Sequence, residues 1–369
     1  MTKRGAASRG AGPKGRDVPE TGPEGKPGKA AGPASPGRFY GALLRGASPG
    51  PRPGQNGAMP RSRLSPGRIL HLRARSPFDW DGLLDFLGPR AIPGVERVEG
   101  GRYRRTIAPD GLPGILSAEP GDEGIDVMVS GPAAEAAGDF APRLARLFDL
   151  GADPGAILDA LGGDPLIGSA IRARPGLRVP GAWDGFELAV RAVLGQQVSV
   201  AGATTLAGRL AAAHGEALDP ELAAPGLTHL FPTPARLAAA DPAGFGLPGA
   251  RARALSGLAR VAAADAALFV PGDLDADLAR LDALPGIGPW TAAYVAMRAL
   301  GHRDVLPPGD LGLLRALGSG TDGGEGALPP AGDLVRRAEA WRPWRSYAAL
   351  HLWTSLDPGP RRRAALKGG

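Results

Sequence analysis

With 369 residues, 43% of them hydrophobic, the chain is long enough for two domains with real cores, which excludes wholesale disorder. It has no cysteine, and its five histidines show no metal-ligand spacing, so disulfides, zinc ribbons and thiolate-held iron–sulfur clusters are excluded and any metal has to be held by oxygen. The net charge of +6 comes from one end: residues 1–68 hold 13 basic and 3 acidic residues, whereas the rest of the chain has 30 Arg and Lys against 34 Asp and Glu. A general nucleic-acid coat over the foldable part is therefore unsupported, and DNA contact there has to come from helix N-termini and a few arginines.

Residues 1–68 are a Gly/Pro/Ser/Arg mixture that cannot bury enough apolar surface to offset its ordering entropy, and a disordered basic tail is expected. Met59 closely precedes the first periodic segment, so an upstream start-site misassignment is one explanation for that tail. From Ile69 the pattern becomes mixed. ILHLRA alternates as a strand, FDWDGLLDFLGPRA has helical spacing, GRYRRTIAP, GILSAEP and IDVMVSG are further strands, and AAEAAGDFAPRLARLFDL reads as a closing helix. This predicts an α+β unit over 69–150, an antiparallel sheet with helices on one face.

After Leu150 the strand signals stop. WDGFELAVRAVLGQQ, SVAGATTLAGRLAAAHG and ARARALSGLARVAAADAAL are helical, and Thr233-Pro234 caps and opens another helix, so an all-helical domain is expected over 151–358. Residues 359–369 form a flexible basic C-terminus in this reading. No apolar run reaches the length of a membrane span and the start lacks a signal-peptide core, so a cytoplasmic protein without membrane contact is expected.

Chemistry concentrates in LPGIGPWTAAYVAMRALGHRDVLPPGDLGLLRAL. Leu284-Pro285-Gly286-Ile287-Gly288 joins two helical patterns; its glycines let the chain pass close to another molecule, and the following helix aims unpaired N–H groups outward, a phosphate site without lysine. The same residues equally make a plain helix–helix turn. Trp290 and Tyr294, four apart, share a helix face and suit either base stacking or core packing. Asp310 follows Pro307-Pro308-Gly309 and is either a simple N-cap or an oriented functional carboxylate. GFGLPG (Gly244 to Gly249) follows a helical segment and reads as a turn, and Asp273, Asp275 and Asp277 read as acids at a helix start. In WRPWRSYAALHLW, Trp341 and Trp344 are assigned to the core and Trp353 to a cleft.

With these residues in place the chain resembles the helix-hairpin-helix superfamily of DNA glycosylases, in its bacterial 3-methyladenine DNA glycosylase II branch. FDWDGLLDFL, RPGLRVPGAWDGFELAVRAVLGQQVSVAGA, FPTPARLAAADP, the hairpin segment and WRPWRSYAALHLW occur in the order that branch shows, over about residues 69–356. The resemblance implies an N-terminal sheet domain like half of the TATA-binding-protein fold and a helical glycosylase domain. It implies Asp310 as the catalytic acid, Trp290, Tyr294, Trp353 and Phe86 around the base, and DNA contacts at Pro285, Gly286, Ile287, Gly288, Gln196 and Gln197. It also implies a structural sodium or potassium ion on the backbone carbonyls of Asp282, Leu284 and Ile287, with no cofactor required for catalysis. Gln197 stands where well-known members carry a duplex-wedging leucine, and Gly309 and Leu311 flank the acid where a second acid and a tyrosine occur.

The implied function is a monomeric, monofunctional glycosylase of base excision repair. It would flip alkylated bases such as 3-methyladenine and 7-methylguanine out of double-stranded DNA, excise them and leave an abasic site. Lysine occurs only at Lys3, Lys14, Lys26, Lys29 and Lys367, so no amine lies within the foldable region to form a Schiff base and nick the strand. The alternative is a non-catalytic helix-hairpin-helix DNA-binding protein in which Asp310 is only a cap.

Overall fold

The alternating residues of ILHLRA form β1 (Arg68–Arg73), with Leu70 and Leu72 buried and Ile69 and His71 facing solvent. The computed structural model describes residues 67–319 and 328–356; Met59, the tail up to residue 66 and the basic segment at 359–369 lie outside them. The Asp79 carboxylate accepts the Gly82 N–H at 2.8 Å and so caps α1 (Trp80–Leu87), whose Leu83, Leu84 and Leu87 are buried in the core. β2 (Glu96–Glu99), β3 (Arg102–Ile107), β4 (Gly114–Gly121) and β5 (Gly124–Ser130) complete an antiparallel sheet of order β1-β5-β4-β3-β2. The short β2, Glu-Arg-Val-Glu, carries no alternation that marks a strand and owes its conformation to pairing with β3.

The helix expected to close this unit is divided. Pro132–Phe140 is 3₁₀, and only α2 (Ala141–Leu147) is α-helical, because Gly138 and Pro142 interrupt the run; the left-handed Asp149 (φ 48°) ends it.

The second half is mainly helical: α3 (Pro154–Leu161), α4 (Gly168–Ala173), α5 (Gly185–Leu194) and α6 (Val200–His214) lead to a small pair of strands, β6 (Glu216–Ala217) and β7 (His229–Leu230). These two-residue strands depart from the all-helical expectation. They are too short for alternation to register, and tertiary bonds hold them: the Thr228 and His229 N–H groups both donate to the Gly94 carbonyl, and the Thr106 hydroxyl to that of His229. Then come α7 (Pro234–Ala239), α8 (Gly249–Ala264), α9 (Leu274–Asp282), α10 (Pro289–Arg298), α11 (Leu311–Ser319), α12 (Ala331–Ala338) and α13 (Arg345–Leu356). Side chains of Asp153, Asp184, Ser199, Thr233 and Asp273 cap α3, α5, α6, α7 and α9. GFGLPG is a turn around the left-handed Gly246 (φ 64°), and Asp277 is buried between Arg280 and His302. Among the described residues no helix is long and apolar enough to cross a membrane.

One cluster of buried residues runs from Leu70 on β1 to Leu352 on α13, so the sheet and the helices share a core. A buried ion pair crosses that junction: Arg105 on β3 donates to Glu187 on α5 at 2.6 Å, with Glu96 3.6 Å from the same guanidinium and Tyr103 donating to Glu96 at 2.5 Å. Burial disfavours the Arg105 charge, but attraction from Glu187, Tyr103 and Glu96 outweighs it and raises its pKa; burial raises Glu187, with Arg105 opposing. Removing one partner would strand a buried charge at a cost of about 3–5 kcal/mol.

His351 on α13 is only 3% exposed, and burial, reinforced by Arg174 and opposed by Asp79, pushes it down to about 4. The unfolded chain therefore binds this proton between about pH 6.5 and 4 while the folded chain does not. Its stability contribution is complete above that window and lost on acidification through it, up to about 3 kcal/mol. Thermal melting between pH 7 and 4 is expected to show this loss, and His351→Leu to flatten that part of the slope; an unchanged slope would contradict it.

Candidate active site

The hairpin begins where α9 stops. Leu284 N–H donates to Leu281 O and Ile287 N–H to Leu284 O at 3.1 Å, while the Leu284 and Ile287 side chains are buried and anchor the turn. Gly286 has φ 76°, and a Cβ there would lie 2.4 Å from the Ala254 Cβ on α8, so the fold itself demands glycine. Gly288 differs: its backbone is extended, and a Cβ would meet no protein atom within 4 Å. Nothing among the described residues requires glycine there, and the bare position lies at the N-terminus of α10.

Gln196, after α5, braces the hairpin from behind. Its side-chain amide donates to Gly286 O at 2.8 Å and to Thr291 Oγ1 at 3.3 Å, while Arg251 on α8 donates to the Gln196 carbonyl. The next residue, Gln197, is exposed in a left-handed conformation (φ 59°), followed by exposed Val198 and Val200. Pro285 and Gly286 share the exposed rim. Among the described residues no group of three or more His, Cys, Asp or Glu could hold a metal. At the C-terminal end of α9, the helix's negative pole, lie Asp282 and Leu284; the Leu284 carbonyl keeps a second lone pair beside its bond to Ile287, an arrangement that fits a hard monovalent cation.

Asp310 follows Gly309 (φ 67°) and precedes α11, where its Oδ1 accepts the Leu313 N–H at 2.8 Å as an N-cap does. Two more donors reach it. Trp353 Nε1 on α13 donates to Oδ1 at 2.9 Å, and Trp290 Nε1 on α10 to Oδ2 at 2.8 Å. A carboxylate offers about four acceptor positions, so three are filled and one on Oδ2 is left. Gly312 permits this approach, since a Cβ there would lie 3.0 Å from Asp310 Oδ1 and 3.1 Å from Trp353 Cδ1.

Trp290 and Tyr294 stack on each other, centroids 5.2 Å apart at 8°, and Trp353 meets Tyr294 edge-on at 6.4 Å. Three of the four predicted aromatics therefore stand together beside the acid. Phe86 joins them through Arg298, whose guanidinium lies 4.8 Å from the Phe86 ring centroid and 5.5 Å from that of Tyr294, with the Arg90 guanidinium 3.8 Å from Phe86. Arg298 also donates to the Tyr294 hydroxyl at 2.7 Å and to the carbonyls of Pro180 and Gly181. Burial would raise the Tyr294 pKa, but Arg298 and then Arg90 outweigh it and lower it. Trp341 is in the core, donating to Asp164, and Trp344 packs edge-on against Tyr347.

Sequence reading missed Arg90, Arg298 and Gly312. The arginines left a signal: Trp290, Tyr294 and Arg298 repeat every four residues, and Arg90 follows Phe86 by four. Gly312 left none, because its need arises from a tryptophan 41 positions away.

Residues 69–184 match the family described as the AlkA N-terminal domain. DNA-3-methyladenine glycosylase 2 of Escherichia coli is 40% identical over 290 residues, covering 76% of this chain and 95% of the relative. The chain belongs to the DNA-3-methyladenine glycosylase 2 family. A second family relative, the probable bifunctional transcriptional activator/DNA repair enzyme AlkA of Mycobacterium tuberculosis, is 42% identical over 291 residues. That match covers 78% of this chain but only 57% of the mycobacterial protein's length. Among solved structures, the 3-methyladenine DNA-glycosylase of Archaeoglobus fulgidus superposes with a TM-score of 0.65 at 23% identity, over 77% of this chain and 96% of that one, a likeness of fold.

The two hairpin glycines should separate by stability. Gly286→Ala is expected to lose about 1–3 kcal/mol through backbone strain and the clash with Ala254, and Gly288→Ala to melt like the parent. Equal melting temperatures in differential scanning calorimetry would refute this division.

Proposed function

We propose that this protein is a monofunctional DNA glycosylase that excises alkylated bases, such as 3-methyladenine and 7-methylguanine, from double-stranded DNA and leaves an abasic site. The observation that carries the reading is the carboxylate of Asp310, gripped by the indole N–H groups of Trp290 and Trp353 and by the N-terminus of α11. A helix cap needs only the last of these. Two further donors from α10 and α13 hold the group in one orientation, as electrostatic catalysis requires and a purely DNA-binding module does not.

A base inside a duplex is out of reach, so the nucleotide is extruded at a cost of a few kcal/mol, least for damaged, poorly paired bases. Backbone N–H groups at the start of α10, cleared by Gly288, suit a phosphate, and the exposed Gln197 with Val198 and Val200 suits the space the base leaves. A monovalent cation on the carbonyls of Asp282, Leu284 and Ile287 would add positive charge beside that phosphate. As the N-glycosidic bond lengthens, the sugar becomes cationic and Asp310 stabilises it, the remaining acceptor position on Oδ2 orienting water. An alkylated purine is already a good leaving group, so one acid suffices. The folded region holds no lysine to form a Schiff base, which favours hydrolysis without strand nicking. One protein molecule acting on one lesion is the simplest assembly for this site.

Incubation with methylated DNA and mass spectrometry of released bases tests the reading. Wild-type protein is expected to release methylated purines without a borohydride-trapped DNA adduct. Asp310→Asn is expected to bind DNA as before and lose about a hundred-fold or more of the excision rate. Undiminished excision by Asp310→Asn, or a trapped adduct, would reject the assignment.

A further inference from the structure

The aromatic cluster has a cationic far end that the reaction scheme leaves unused. Arg90 and Arg298 flank Phe86, Arg298 holds the Tyr294 hydroxyl, and among the described residues neither guanidinium is ion-paired. Both line a cavity of about 30 Å³ with Arg191, Glu96 and Glu187, but those carboxylates are engaged with Arg105 and Arg191. Arg298 commits three of its five N–H donors, one from each nitrogen, to Pro180, Gly181 and Tyr294. Arg90, by contrast, donates to Phe86 O at 2.9 Å and beyond that lies only within hydrogen-bonding reach of the Tyr294 hydroxyl. A guanidinium carries five N–H donors, so Arg90 retains donors for an incoming acceptor.

Direction follows from α10. Trp290, bonded to Asp310, Tyr294 one turn on and Arg298 one turn further are spaced by four residues, about 6 Å of helix each. A purine whose glycosidic nitrogen lies at Asp310 and whose plane runs along α10 spans about one turn, so its far end, the C6 edge, lies near the Tyr294 hydroxyl, which Arg298 holds at 2.7 Å and beside which Arg90 stands. We propose that Arg90 reads the C6 substituent of the extruded purine, favouring a 6-carbonyl over a 6-amino group. The reason is complementarity: a guanidinium offers only donors, matching the oxygen of a guanine-type base and opposing the amino group of an adenine-type base. The aromatic faces recognise an extruded planar base, and Arg90 sorts the bases by their edge. This proposal rests on the glycosylase reading and specifies the substrate preference of that same site.

DNA treated with dimethyl sulfate contains 3-methylguanine and 3-methyladenine, which carry the methyl on the same nitrogen and differ at C6 and in the 2-amino group. Initial release rates of both bases are measured by mass spectrometry for the wild type, Arg90→Met and Arg90→Lys. The 3-methylguanine to 3-methyladenine ratio is expected to fall about ten-fold in Arg90→Met and by less in Arg90→Lys, which keeps a cationic donor. A ratio unchanged within two-fold overturns the proposal even if both rates drop together, since that is what a merely structural arginine produces. Should Arg90→Met release neither base, Arg90→Lys decides: a smaller fall in the same direction supports the proposal, and an unchanged ratio overturns it. Release of neither base by the wild type would overturn the glycosylase reading itself, a result distinct from an unchanged ratio.

Discussion

The site depends on one carboxylate being reached by three donors from three different elements. Asp310 caps its own helix, but its orientation is set by Trp290 from α10 and Trp353 from α13. Each indole nitrogen has a single N–H, so each tryptophan must sit in one place to make its bond. The rest of the local architecture serves that requirement. Gly309 turns the chain into the cap, Gly312 leaves room for the Trp353 ring, and the stack of Trp290 on Tyr294 fixes the first indole.

That arrangement survives only if α10, α11 and α13 keep their relative positions, and the shared core supplies this. The buried Arg105–Glu187 pair ties the sheet to α5, which packs on α10. Tyr347 on α13 donates to the half-buried Asp149 at the end of the sheet unit. The N-terminal sheet is therefore a brace for the helices, while α1 and the turn after it carry Phe86 and Arg90. Buried ion pairs add little net stability compared with apolar packing, yet they penalise any other register strongly. Specificity of arrangement is what an oriented carboxylate needs.

The aromatic cluster is less open than four convergent side chains would suggest. Trp290 and Tyr294 cover each other, and Phe86 faces two guanidiniums. In the proposed function, attraction of a cationic base to π faces, worth about 0.5–2 kcal/mol per good contact, would thus have fewer free faces to use. On the proposal made above, much of the discrimination would pass to hydrogen-bonding edges, where Arg90 would act.

Much was readable without coordinates because its causes are local. Alternation in ILHLRA and IDVMVSG made strands, Thr233-Pro234 made a cap and a first turn, and the glycines of LPGIG made the hairpin, each set by steric and hydrogen-bonding rules acting over a few residues. The absence of cysteine and of any lysine between Lys29 and Lys367 limited the chemistry by composition alone. The rest waited for packing. Strands as short as β6 and β7 carry too few residues for a period, and the ³₁₀ stretch before α2 came from Gly138 and Pro142 outweighing an apolar pattern. Asp310 could be named from its surroundings in sequence, but whether it was a cap alone or an oriented acid turned on indoles 20 and 43 residues away. Such bonds are fixed by how helices lie against one another, a property no short window of residues contains.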